Sequence, residues 1–285
     1  MSTLLDTQIA QVLILSFFGT LALTGLVCLV GRKNSGFFMA SASVGIIYAW
    51  FCGFILGTPD FPPEFNNTAI LSATACLLVI GAILDFILIK RKKFPKPIVI
   101  IIILTSGIII TVWMRSGIDV WSLPILFGWS TIAISLLRIS INKTFGSGNS
   151  TFLLVIASLG TGIIAWISDI VVDRDLAFGL CVISIGFFVC NCPKPRLYFG
   201  YSILLTGGGS LYILALRLVE QMPSLIPAFI ILAFIFFVDV SSQYVQKSLE
   251  PILPIPKSIS LFILALFPLS LSTIVALIAN EFPIN

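Results

Sequence analysis

Histidine is absent from this 285-residue chain and charge is scarce, with only 10% of residues Asp, Glu, Lys or Arg. Without an imidazole there is no histidine-ligated metal site, and no triad, dyad or proton relay that needs one. Sixteen basic and 12 acidic side chains leave a net charge of +4, too small and too scattered for a nucleic-acid partner. Long polar stretches are missing too, so there is no room for a soluble domain. What fills the chain is apolar: 58% of residues are hydrophobic and mean hydropathy is +1.14. This is the composition of an integral membrane protein.

Crossing a hydrocarbon core about 30 Å thick takes about 20 apolar residues per helix. Ten apolar runs fit that length, near 9–30, 37–57, 69–89, 98–114, 121–137, 151–170, 176–190, 199–216, 224–241 and 258–279. They are continuously apolar rather than alternating, which excludes a β-barrel and leaves the helix as the way to satisfy every backbone group in lipid. The expected fold is all-α, a single polytopic transmembrane domain over residues 1–285 with about ten helices.

Basic residues prefer cytoplasmic loops. Thirteen of the 16 fall in one alternate set of loops: Arg32, Lys33, Lys90, Arg91, Lys92, Lys93, Lys96, Arg138, Lys143, Lys194, Arg196, Lys247 and Lys257. Only Arg115, Arg174 and Arg217 fall in the other. The first set is thereby placed in the cytoplasm, with both termini outside. The amino-terminal MSTLLDTQIA has no basic region and precedes an apolar run longer than a signal-peptide core, so the first helix is expected to stay uncleaved. Cys28, Cys52, Cys76 and Cys181 lie inside helices as small apolar residues. Cys190 and Cys192 flank Asn191 without the further ligands a metal site would need, and the cytoplasmic face disfavours a disulfide.

Function should lie in the cytoplasmic loops. Asp85 sits about a turn inside the membrane edge, before the basic run Lys90 to Lys96. A carboxylate there is either functional or a snorkelling partner of that run. The run itself reads as a positive-inside anchor or as a site for phosphate or anionic lipid. In the next cytoplasmic loop, Gly146 and Gly148 could let backbone amides wrap an anion, with Ser150 or Thr151 as helix cap; a tight turn would use the same residues.

The following loop reads Asn191-Cys192-Pro193-Lys194-Pro195-Arg196-Leu197-Tyr198-Phe199-Gly200. This N-x-P-x-x-(K/R)-(I/L)-(F/Y)-x-G pattern resembles the signature loop of the polyprenyl-phosphate N-acetylhexosamine-1-phosphate transferases. These form the glycosyltransferase 4 family, which includes the enzyme forming lipid I. Other segments follow in family order. Leu84-Asp85-Phe86 resembles L-D-D, Pro95-Lys96 a downstream S-P-K, residues 142–149 an N-x-x-D-G-x-D-G loop, and Phe237-Val238-Asp239 a late aspartate stretch. The resemblance is strongest over residues 70–250, and the family's ten helices with both termini outside agree with the topology from charge.

The resemblance implies a place in the cell (inner) membrane, and Mg²⁺-dependent transfer of a sugar-1-phosphate from a UDP-sugar to a polyprenyl phosphate. It also implies substrate contacts at Lys96, Asn142, Gly146, Asn191, Arg196 and Gly200, a catalytic role for Asp85, and Asp85 and Asp239 as the remaining metal candidates. The departures fall on the chemistry. Phe86 stands for the second Asp of L-D-D, Phe145 and Gly148 for the two Asp of the glycine-rich loop, and Tyr201 for the Asp of G-D. Mg²⁺ usually needs one or two carboxylates besides substrate phosphates. The expectation is therefore a pseudoenzyme that binds the lipid carrier, forms a homodimer, or partners an active paralogue. The alternatives are an active transferase with substituted ligands, and a lipid or small-solute carrier in which Gly207-Gly208-Gly209 breaks a helix. Close packing by small residues would explain that glycine run equally.

Overall fold

A computed structural model of the chain describes residues 2–31, 39–57, 68–90, 96–115, 146–192, 197–239, 241–242 and 257–281. Apart from turns and the stretch 197–200, these residues are helical, and no strand occurs among them. The helices are α1 (Ser2–Val30), α2 (Ala42–Leu56), α3 (Thr68–Lys90), α4 (Lys96–Arg115), α5 (Gly146–Ile167) and α6 (Val171–Cys190). After them come α7 (Tyr201–Gln221), with a π-helical turn at Leu204–Gly208, then α8 (Pro223–Phe237) and α9 (Lys257–Glu281).

Five of these helices, α1, α3, α5, α7 and α9, carry segments of 19 to 23 residues long and apolar enough to cross a membrane. The chain is a helical, multi-pass membrane protein. Apolar stretches in α2, α4 and α8 are shorter, and α6 opens on Asp173, Arg174 and Asp175. Nine of the ten apolar runs fall on α1 to α9; the run 121–137 lies outside the described residues. One boundary differs from expectation: α5 begins at Gly146, five residues before the run at 151. Ser150 and Thr151 are therefore buried inside the helix and do not cap it.

Burial separates a hub from a rim. In the spanning segment of α7, 89% of residues are buried, against 22% in α1 and 28% in α9. The cause is side-chain size and polarity. α7 presents Ser202, Thr206, Gly207, Gly209 and Ser210, all buried, and small residues let helices approach where lipid supplies no hydrophobic drive. A methyl on Gly207 would meet Leu154, and one on Gly209 would meet Leu77, so both are packing positions. Around this hub stand α2, α3, α4, α5 and α6, while the rim helices turn large side chains such as Leu29 and Phe267 outward.

Chain reversals follow local chemistry. After α5 the Ile170 N–H reaches the Ala165 carbonyl at 3.0 Å and the Asp169 N–H reaches Trp166 at 3.1 Å, with Asp169 at φ 57°. This is a Schellman end with Asp where Gly is commoner. It folds α6 back onto α5, the most extensive helix pair among the described residues. α7 stops at Met222, whose extended backbone (φ −138°) precedes Pro223.

Candidate functional site

α3 meets the start of α7 at Gly81. A methyl there would lie 2.6 Å from Ser202 Cα and 2.8 Å from the Tyr201 carbonyl oxygen, so only glycine lets the two backbones approach this closely. One turn further along the same face stands Asp85, 2% exposed.

Its carboxylate is fully engaged. Oδ1 accepts the Tyr201 backbone N–H at 2.7 Å. Oδ2 accepts the Ser202 N–H at 2.9 Å, the Ser202 hydroxyl at 2.5 Å and the Ser41 hydroxyl at 3.1 Å. Gly200 occupies the N-cap position of α7 in extended geometry (φ −77°, ψ 173°) and has no side chain to cap with. Asp85 supplies that cap from another helix. Any Cβ at Gly200 would crowd the Ser41 hydroxyl and stand 2.6 Å from Asp85 Oδ2, so the glycine clears the space for the carboxylate.

Magnitudes account for a charge at this depth. Placing Asp in the apolar zone costs about 3 kcal/mol, whereas each hydrogen bond to an ionised carboxylate contributes about 1.5–3 kcal/mol. Four such bonds at the positive end of α7 offset part of that cost. The same surroundings suit an anion and oppose a cation. The described groups bonded to Asp85 all donate to it, so Mg²⁺ could ligate this carboxylate only by displacing bonds at the start of α7.

The other predicted residues divide. Asn191 is 2% exposed, and its Oδ1 accepts the Leu197 N–H at 2.9 Å, which closes the loop from α6 toward α7. Asp239, 3% exposed, accepts the Asn149 side-chain amide at 2.9 Å and ties the end of α8 to the first turns of α5. Gly146 opens α5, and Lys96 opens α4. Asn142 and Arg196 lie outside the described residues. The structure thus joins Asp85 and Gly200 in one cluster and gives Asn191 and Asp239 separate bonds. Phe86, next to Asp85 in the Leu84-Asp85-Phe86 segment, is 44% exposed. Among the described residues no three His, Cys, Asp or Glu side chains gather in one place.

Sequence reasoning passed over Ser41, Gly81 and Ser202. The spacing of Gly81 and Asp85, four residues apart on one helix face, was the available signal. It also treated Arg174 and Arg217 as exceptions to a charge pattern, although both form ion pairs: Arg174 with Asp175 at 2.9 Å, and Arg217 with Asp173 at 3.4 Å. Compared with the models of known protein families and with characterised proteins, the chain matches none.

Proposed function

We propose that this chain is a catalytically silent membrane protein of sugar-phosphate-transferase-like design, one that binds an anionic polyprenyl-phosphate lipid or seats an active paralogue. The observation that carries this reading is the capping of α7 by Asp85. The one carboxylate kept from the resembled L-D-D motif spends both oxygens on backbone and hydroxyl donors. Asn191 and Gly200, kept from the signature loop, are likewise occupied in closing the loop and in making room for that cap. Motif residues that hold a scaffold together are what persists when a fold outlives its chemistry.

In this reading the loops with 13 of the 16 basic residues face the cytoplasm, across a ten-helix domain of the cell (inner) membrane with both termini outside. The basic run starts at Lys90, five residues beyond Asp85, where a lipid phosphate at the interface would meet it.

The test is a radiolabelled transfer assay on folded protein in detergent, with undecaprenyl phosphate, Mg²⁺ and a panel of UDP-N-acetylhexosamines. Lipid retention is scored in parallel by native mass spectrometry. Expected are retained undecaprenyl phosphate and no UMP release. Magnesium-dependent UMP release that vanishes in Asp85→Asn would overturn the reading in favour of an active transferase.

A further inference from the structure

At the end of α7 remote from Asp85, the first turn of α6 buries a second carboxylate under different conditions. Asp173 is 0% exposed, and neither of its oxygens accepts a hydrogen bond from any described group. Among the described residues its ionic neighbour is Arg217 of α7, which approaches through Nε at 3.4 Å, longer than a charge-assisted hydrogen bond and without the bidentate fork. From α2, the buried Tyr48 hydroxyl lies within electrostatic reach of Asp173, with Cys52 and Ser210 as its other polar neighbours and no bond of full geometry to any of them. Among the described side chains, the remaining elements bring little charge. α5 has no titratable side chain in Gly146–Ile167. Cys28 of α1 lies beside Cys190 at the far end of α6. On α6 itself, Arg174 is paired with Asp175.

The contrast with Asp85 is informative. Both aspartates are buried; one accepts four hydrogen bonds and the other accepts none from the described groups. A buried carboxylate without donors gains by becoming neutral.

We propose that Asp173 is a proton-binding site, enclosed by α2, α6 and α7, which takes up one hydron from water to become a neutral carboxylic acid and thereby releases Arg217. The hydron comes from the aqueous phase and returns to it; no other bond is made or broken. Asp173 stands in the first turn of α6, four residues after the exposed Asp169 of the polar turn that joins α5 to α6. No conducting wire across the bundle is implied. The buried hydroxyls of Ser202, Thr206 and Ser210 stand four residues apart along α7, and about 6 Å separates successive positions at 1.5 Å per residue, too far for a continuous relay. The proposal is independent of any lipid or transferase role.

The experiment is pH-difference infrared spectroscopy of the full chain in proteoliposomes, comparing wild type with Asp173→Asn. An ordinary Asp titrates near pH 3.9. Expected is a protonated-carboxyl band that titrates above about pH 5, shifts in D₂O and is missing from Asp173→Asn. Should that variant fail to fold, Asp173→Glu retains a carboxyl, and its band is expected at an altered frequency and midpoint. In Arg217→Gln, loss of the neighbouring cation should move the midpoint to higher pH. No titrating band above about pH 5 in the wild type would mean a carboxyl fixed in one protonation state and would overturn the proposal. So would a band unchanged in either Asp173 variant.

Discussion

Asp85 and Asp173 show that burial alone does not assign a role to a carboxylate. At Asp85 the neighbours are donors, and the ionised form holds the start of α7. Replacing it with Ala takes the acceptor from two backbone N–H groups and the buried Ser202 hydroxyl, and removes one partner from Ser41. Loss of a cap costs about 1 kcal/mol, and each stranded buried donor about 1–3 kcal/mol. Asp85→Ala is therefore expected to destabilise the protein by at least about 2 kcal/mol, read as a lowered thermal midpoint in detergent. Asp85→Asn, which keeps one acceptor oxygen, should lose less. Equal stability of Asp85→Ala and wild type would show that the cap is dispensable.

Among elements, α7 carries the organisation because its small and polar side chains allow α2, α3 and α5 to close around it. The closest approach is the crossing of α3 at Gly81, where the obstacle to any larger residue is backbone and cannot rotate away. Gly81→Ala is expected to cost about 1–3 kcal/mol by overpacking, and to loosen Asp85 from its cap as the helices part. Gly25→Ala, in α1, is the matched control. Nothing lies within 4 Å of a methyl added there, and the gain in helix propensity of about 0.5–1 kcal/mol should leave it neutral to stabilised. Thermal melts of the pair in one detergent decide the point; similar shifts for both would refute the proposed crossing. Both glycines occupy apolar helices of similar composition, and only the spacing to Asp85 sets Gly81 apart in the sequence.

For the whole molecule, orientation rests on the distribution of basic residues and is open to direct measurement. In a cysteine-free background, Lys92→Cys should react with a membrane-impermeant maleimide only from the cytoplasmic side, and Asp60→Cys only from the opposite side. Labelling of both from one side would reverse or break the expected topology. The ion pairs of Arg174 and Arg217 give the minority side its own logic. Each of these two basic residues is matched to an aspartate of α6, so neither stands there as an isolated charge.

By itself the sequence determined that the chain is helical and crosses a membrane. Apolar runs of about 20 residues have no other way to satisfy their backbone in lipid, and this constraint acts locally, residue by residue along each run. It also marked Asn191 and Gly200 through a loop pattern that can be read in ten consecutive positions, and Asp85 as a carboxylate inside an apolar run. What each of them does was decided only by the tertiary structure. Asp85 and Tyr201 are 116 positions apart in the chain, and whether a carboxylate meets a cation, a row of donors or a loosely held arginine depends on which helix packs beside it. Local pattern carries no record of that choice. The helix crossing at Gly81 made one aspartate a cap, and the packing of α2, α6 and α7 left the other, Asp173, without a donor.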